Sequence, residues 1–180
     1  MKFFSQLTAV CLATGAYAAA LVPRDAQTIK DVLGRVQGGV DNLDGTVKQF
    51  NGDVGPILSS ADSLVATIRT GSDDVRNTAP VTDLNDAFSI LGPVDELKQH
   101  VRTLADDFNA KKNDVSSAKQ CGTTRGKLDD IGTNTKTLID LIVSKVPPST
   151  QGIARDRGKQ ITDILDEVKA NYAADKCVDA

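Results

Sequence analysis

The stretch Val81–Phe108 limits what this chain can fold into. Apolar residues recur there at Leu84, Phe88, Leu91, Val94, Leu97, Val101, Leu104 and Phe108. Every step is three or four residues, the spacing that puts side chains on one face of an α-helix, and no strand alternation fits. At 1.5 Å per residue the helix would be about 40 Å long. Gly92-Pro93 falls mid-stripe, so a kink is expected there. A stripe of this length needs further helices to cover it.

The rest of the chain supplies them. Asp25 to Phe50 carries Ile29, Val32, Leu33, Val36, Val40, Leu43, Val47 and Phe50 at helical spacing, interrupted by Gly34, Gly38, Gly39 and Gly45. Each glycine costs about 1 kcal/mol against alanine inside a helix, which makes this segment either mobile or very closely packed. Asn51-Gly52-Asp53 reads as a turn and Pro56 as the start of a second helix, striped by Ile57, Leu58, Ala61, Leu64, Val65 and Ile68. Gly71 is expected to close it, residues 72–80 to form a loop, and Thr82 to cap the long third helix. A polar turn at Lys111–Asp114 would lead into a fourth helix, Val115 to Val146, ended by Pro147-Pro148. Ser149 would cap a fifth, bearing Ile153, Ile161, Ile164, Leu165, Val168 and Tyr172. The expected fold is all-α: a single-domain bundle of about five amphipathic helices spanning residues 25–180, the third kinked near Gly92-Pro93.

The first residues have a different character. Lys2 gives a short basic start, Phe3 to Leu12 is mostly apolar, and Ala16-Tyr17-Ala18 offers a small-x-small cleavage site. Residues 1–18 therefore read as a secretory signal, with Ala20 as a second candidate boundary. The apolar run is too short to span a bilayer, and no second one follows. Cys11 would leave with the signal. Cys121 and Cys177 remain as an even pair in an exported chain, where a disulfide is the default and two free thiols the alternative. Helices four and five, joined by a tight turn, would run antiparallel and bring these cysteines within about one turn of each other along the axis.

Catalytic chemistry is hard to find. The chain holds a single histidine, His100, at the edge of the third stripe. Neither a G-x-S-x-G nor an H-E-x-x-H motif occurs. Gly122 to Lys127 only faintly suggests a phosphate loop, and Leu43 spoils Asp41–Gly45 as a calcium loop. Asp73-Asp74, Asp106-Asp107 and Asp129-Asp130 read as solvated faces and caps. The formal net charge of −3 and the scattered Lys and Arg argue against nucleic acid and against anionic membranes. Aromatic residues are 4% of the chain with no tryptophan, which leaves little to stack on a sugar or a base. No N-x-S/T sequon, Ser/Thr-rich stalk or hydrophobic tail is present, so no lipid anchor is expected. Neither a metal nor a cofactor is expected, and the chain is read as non-enzymatic.

What remains is the apolar surface. The helices either fill their own core or leave a channel for an aliphatic ligand. The kink, the glycines of helix one, and Gly122, Thr135 and Gly158 at inward positions favour a channel. Its expected lining is Leu64, Ile68, Phe88, Leu91, Val94, Leu97, Val101, Leu138, Ile142, Ile161 and Leu165. By helical phase Thr135, Arg125 and Arg157 are candidates to hold a polar headgroup.

Several local strings also form a linked pattern. They are Phe50-Asn51-Gly52, Ser60-Ala61 with Leu64, Thr70-Gly71, Leu84-Asn85-Asp86-Ala87-Phe88, Leu91-Gly92-Pro93-Val94 with Leu97, and Lys145-Val146-Pro147, after a Val22-Pro23-Arg24-Asp25 start. Across essentially the whole mature chain they resemble the fungal hydrophobic surface binding protein A family, also described as cell wall galactomannoproteins. The resemblance implies a secreted all-α domain of culture fluid or cell wall. It also implies partners that are fatty acids or other aliphatic lipids held between helices, or hydrophobic surfaces. It brings no catalytic motif. The missing sequons and Ser/Thr-rich tail depart from the wall-anchored members and argue against wall anchoring; the alternative to lipid capture is a structural cell-wall or surface-coating protein with a filled core and no lipid ligand.

Overall fold

Amphipathic periodicity sets five helical rods, and the places where it fails set their ends. A computed structural model describes residues 24–180; the expected signal segment lies outside them. The helices are α1 (Arg24–Lys48), α2 (Gly55–Asn77), α3 (Leu84–Ser89), α4 (Leu91–Ser117), α5 (Cys121–Lys145) and α6 (Gln151–Asn171). Short α3 and long α4 meet at Ile90 and together form the kinked third rod. The break is Pro93's doing, displaced toward the N-terminus. A proline ring clashes with the carbonyl four residues back, which here belongs to Ser89, the last residue of α3. Pro93 itself sits in the first turn of α4, where a missing N–H costs nothing.

Several helix ends differ from the sequence expectation. Gly71 does not close α2, which runs on to Asn77 with Val75 fully buried. A Cβ at Gly71 would lie 2.6 Å from Val32 Cγ1, so this glycine lets α1 and α2 approach closely. Thr78 turns extended instead, ahead of Pro80. Asp83, not Thr82, caps the third rod, its carboxylate accepting from the backbone N–H groups of Asn85 and Asp86. Lys111–Asp114 is helical, and α4 continues to Ser117. The turn comes at Lys119, whose φ of 60° is left-handed. Gln120 N–H donates to Val115 O and Lys119 N–H to Ser116 O, each at 3.0 Å, which makes a Schellman end with lysine in the usual glycine position. Thr150, not Ser149, precedes α6, and its hydroxyl donates to Pro147 O at 3.0 Å.

Paired side chains give the directions. Asp62–Lys127 and Arg69–Asn134 rise together, so α2 and α5 are parallel. Gln37–His100 and Lys48–Asp107 do the same for α1 and α4, and Asp95–Arg157 and Arg102–Glu167 for α4 and α6. Lys169–Asp129 and the Arg125–Tyr172 carbonyl contact set α5 against α6. The rods run up and down in sequence and close a ring in the order α2, α1, α4, α6, α5. One continuous cluster of aliphatic side chains fills it.

Cys121 and Cys177 are joined, with Cα atoms 5.5 Å apart. The bridge ties the tail after α6 to the first residue of α5. Asp179 in that tail accepts from Cys121 N–H at 3.0 Å, and Tyr172, fully buried, donates to Phe108 O at 2.6 Å. One end of the bundle is thus laced shut.

Candidate functional site

The opposite end is different. Where the starts of α4 and α6 meet the end of α5, the apolar faces do not quite meet. They leave a pocket of about 740 Å³ between side chains, including the part that opens to solvent. It is a narrow slot rather than an open bowl. The free space enclosed within it is about 50 Å³, well below the roughly 300–1,000 Å³ of an occupied small-molecule site, so a ligand enters only as the lining side chains move apart. Phe88, Ile90 and Leu91 line it around the α3–α4 joint, and Val94 and Leu97 follow along α4. Leu138, Ile139, Ile142, Val143 and Val146 come from α5 and the residue after it, Ile153, Ala154 and Ile161 from α6, and Leu33 and Val36 from α1. The side chains of Phe88 and Ile153, both more than 40% exposed, stand at its rim.

Among the described residues only three polar side chains touch this space: Thr135, Thr150 and Arg157. Thr150 is occupied by its bond to Pro147 O. Arg157 is half-buried and donates to Asp95 Oδ1 at 2.7 Å, an oxygen that Lys98 also reaches at 3.1 Å. Lys98 in turn donates to Gln160 at 3.0 Å. Charge at the rim is therefore held in a small network spanning α4 and α6. Thr135 is deeper, with 9% of its surface exposed, and among the described residues its hydroxyl has no hydrogen-bond partner.

The structure gathers Phe88, Leu91, Val94, Leu97, Thr135, Leu138, Ile142, Arg157 and Ile161 of the expected set around one space. Others are elsewhere. Leu64 and Ile68 are buried in the core, Leu64 against Gly39 of α1. Val101 and Leu165 line a second, smaller void further along the bundle, with Phe108, Leu128 and Ile131. Arg125 donates to Tyr172 O at 3.0 Å near the laced end and does not reach the pocket. Gly122 faces outward, and the room at Gly158 is filled: a Cβ there would lie 2.4 Å from Ile139 Cγ2. Helical phase missed Leu33, Val36, Val143, Val146, Ile153 and Ala154. Phase gives the face of a helix but not the level along it. The Pro147-Pro148 turn was the available signal, since it sets Val146 and Ile153 at one end of the bundle.

His100 lies outside the pocket, its Nδ1 2.5 Å from Asp41 Oδ1 and its Nε2 3.1 Å from the Gln37 amide. Among the described residues no helix is long and apolar enough to cross a membrane, and no group of three or more His, Cys, Asp or Glu could hold a metal.

The fold is an all-α ring of amphipathic helices around an apolar pocket with almost no polar lining. The chain belongs to the hydrophobic surface binding protein A family, which matches residues 26–144. It is 30% identical over 153 residues to cell wall mannoprotein 1 of Aspergillus flavus, covering 84% of this chain and 56% of that protein. With cell wall mannoprotein 1 of Aspergillus fumigatus it shares 32% over 164 residues, 90% of this chain and 57% of the relative. The chain thus spans little more than half the length of these relatives. Among solved structures it resembles ligand binding domain 2 of the Penicillium marneffei MP1 protein complexed with multiple arachidonic acids. The TM-score is 0.80 at 20% identity over 84% of this chain and 98% of that one. It also resembles AFMP4P in complex with palmitic acid, with TM-score 0.76 at 20% identity over 82% and 99%. At this identity the likeness is one of fold.

Proposed function

We propose that this chain is a secreted, non-enzymatic binding domain of the cell wall or its surroundings. Its ligand is a long-chain fatty acid, held in the pocket between α1, the α3–α4 joint, α5 and α6. The observation that carries the reading is the pocket's wall, apolar apart from Thr135, Thr150 and Arg157. Its place in the fold of domains solved with arachidonic and palmitic acid supports it. Each buried methylene is worth about 0.8 kcal/mol, so a long acyl chain offsets the roughly 4–15 kcal/mol cost of association without any aromatic cage. An ionised carboxylate is too costly to bury beside apolar groups alone. It would stay at the rim, near Arg157. The same rim, with Leu84, Phe88 and Ile153 exposed, supplies an apolar edge for adsorption to hydrophobic surfaces. Native mass spectrometry of the secreted protein should show a co-purified fatty acid, and a fluorescent fatty acid should be taken up saturably. Adsorption to a hydrophobic surface with neither of these would favour the filled-core, coating role.

A further inference from the structure

Thr135 does not fit a site made only for a plain hydrocarbon tail. Thr67, Thr103 and Thr137 return their hydroxyls to the backbone carbonyl four residues back, at 2.9, 3.2 and 3.1 Å. Thr135, on the same helix as Thr137, makes no such bond. It is more than nine-tenths buried, yet it lines the pocket. Its oxygen is not one of the closed-off atoms of the core, where Asp44 Oδ1 alone lacks a partner among the described residues, so the hydroxyl opens onto the pocket, where a ligand oxygen can supply its partner.

Its level in the bundle narrows what the partner is. Gly158, next to Arg157, packs against Ile139 of α5. Thr135 lies one helical turn beyond Ile139, about 6 Å deeper. The next layer inward, Ile131 with Val101 and Leu165, belongs to the smaller apolar void. Thr135 is therefore a single polar point well down an otherwise apolar slot. No cation lines that depth, so an ionised carboxylate would be buried uncompensated and is excluded there.

The geometry points to a neutral oxygen on the acyl chain as the group that Thr135 meets. Resting on the fatty-acid reading above, the preferred ligand class is an oxygenated fatty acid. Its carboxylate stays at the Arg157 rim, and a hydroxyl or keto group sits in the distal part of the chain. A site that hydrogen-bonds a ligand oxygen discriminates against the analogue lacking it, because the protein group is then left unpaired.

The test uses lipid-stripped wild type, Thr135→Ser and Thr135→Val. Displacement of a bound fluorescent fatty acid is measured with stearic acid and with monohydroxystearic acids whose hydroxyl is moved stepwise along the distal half of the chain. At least one position should bind roughly fivefold tighter than stearic acid in wild type and in Thr135→Ser. That preference should collapse in Thr135→Val. If no position exceeds stearic acid in wild type, or the preference survives in Thr135→Val, the assignment is wrong. Stearic acid binding without hydroxyl preference overturns this inference alone. Failure of every fatty acid to displace the probe overturns the fatty-acid reading as well.

Discussion

Glycine positions in this bundle divide by what a methyl group would meet. At Gly38 nothing lies within 4 Å of an added Cβ, whereas at Gly158 it would fall 2.4 Å from Ile139 Cγ2. Gly38→Ala should therefore raise stability by about 1 kcal/mol through helix propensity alone. Gly158→Ala gains the same propensity but forces Ile139 aside, a clash worth about 1–3 kcal/mol. Thermal unfolding should shift up for the first and down for the second. Shortening Ile139 to Val in the Gly158→Ala background should recover part of the loss. A second residue-scale contrast is electrostatic. Asp44 Oδ1 is buried without a partner, and Asp107 from α4 shares Lys48 with Asp44 of α1. Burial, and then hydrogen bonding to Asp44, raise the Asp107 carboxyl above its usual range. The folded state then holds its proton more tightly than the unfolded chain. Stability from this group is present at low pH and is lost as pH rises through the folded value. Asp107→Asn, whose amide can donate to Asp44, should melt higher than wild type at neutral pH. The difference should shrink toward pH 3 in a melting series followed by circular dichroism.

At the scale of the element, α3 stands apart. It has six residues and packs chiefly on α4 and α1, with Leu84 and Phe88 about half exposed. The other rods are striped along their length with fully buried side chains. Few buried apolar contacts mean a low local opening free energy, so amides of α3 should exchange with solvent faster than those of α4, α5 and α6. A bound acyl chain touching Phe88 and Ile90 should slow that exchange, and unchanged exchange at saturating ligand would contradict the pocket's placement. This element also shows where the sequence stops informing. Its stripe is continuous with that of α4, so periodicity merges the two, and only the reach of Pro93 to Ser89 separates them. Likewise Lys111–Asp114 is polar because it covers the exposed side of α4, not because the chain turns, and the true turn at Lys119 carries no glycine to announce it. The candidate site was legible by face: Phe88, Leu91, Val94 and Leu97 all border the pocket. It was not legible by level. Leu64, Ile68, Val101 and Leu165 point inward as their phase requires, but where they lie along the axis depends on how the rods are paired.

For the whole molecule, the two ends of the ring carry different tasks. The disulfide, the Asp179 bond to Cys121 N–H and the Tyr172–Phe108 contact, with rings 6.1 Å apart and nearly perpendicular, close one end. The pocket opens at the other, beside the α5–α6 turn. Stability and binding should then be separable by mutation. Replacing both Cys121 and Cys177 with Ala removes a cross-link between residues 56 apart in sequence. On the loop-entropy model that costs about 4 kcal/mol, a large share of the roughly 5–15 kcal/mol that holds a domain together. The melting temperature should drop sharply. Fatty-acid affinity, measured below the lowered transition, should stay within about twofold of wild type, since no pocket wall is touched. Ala154→Phe is the converse. Ala154 is half-buried at the pocket rim, so a phenyl ring there fills the entrance at little cost to the core. Its melting temperature should stay near that of wild type while fluorescent fatty-acid uptake falls at least tenfold, the loss of about two buried methylenes. If the double cysteine variant instead loses affinity in proportion to its stability, the ends are coupled through the core. The pocket would then depend on the tightness of the whole ring rather than on its own walls.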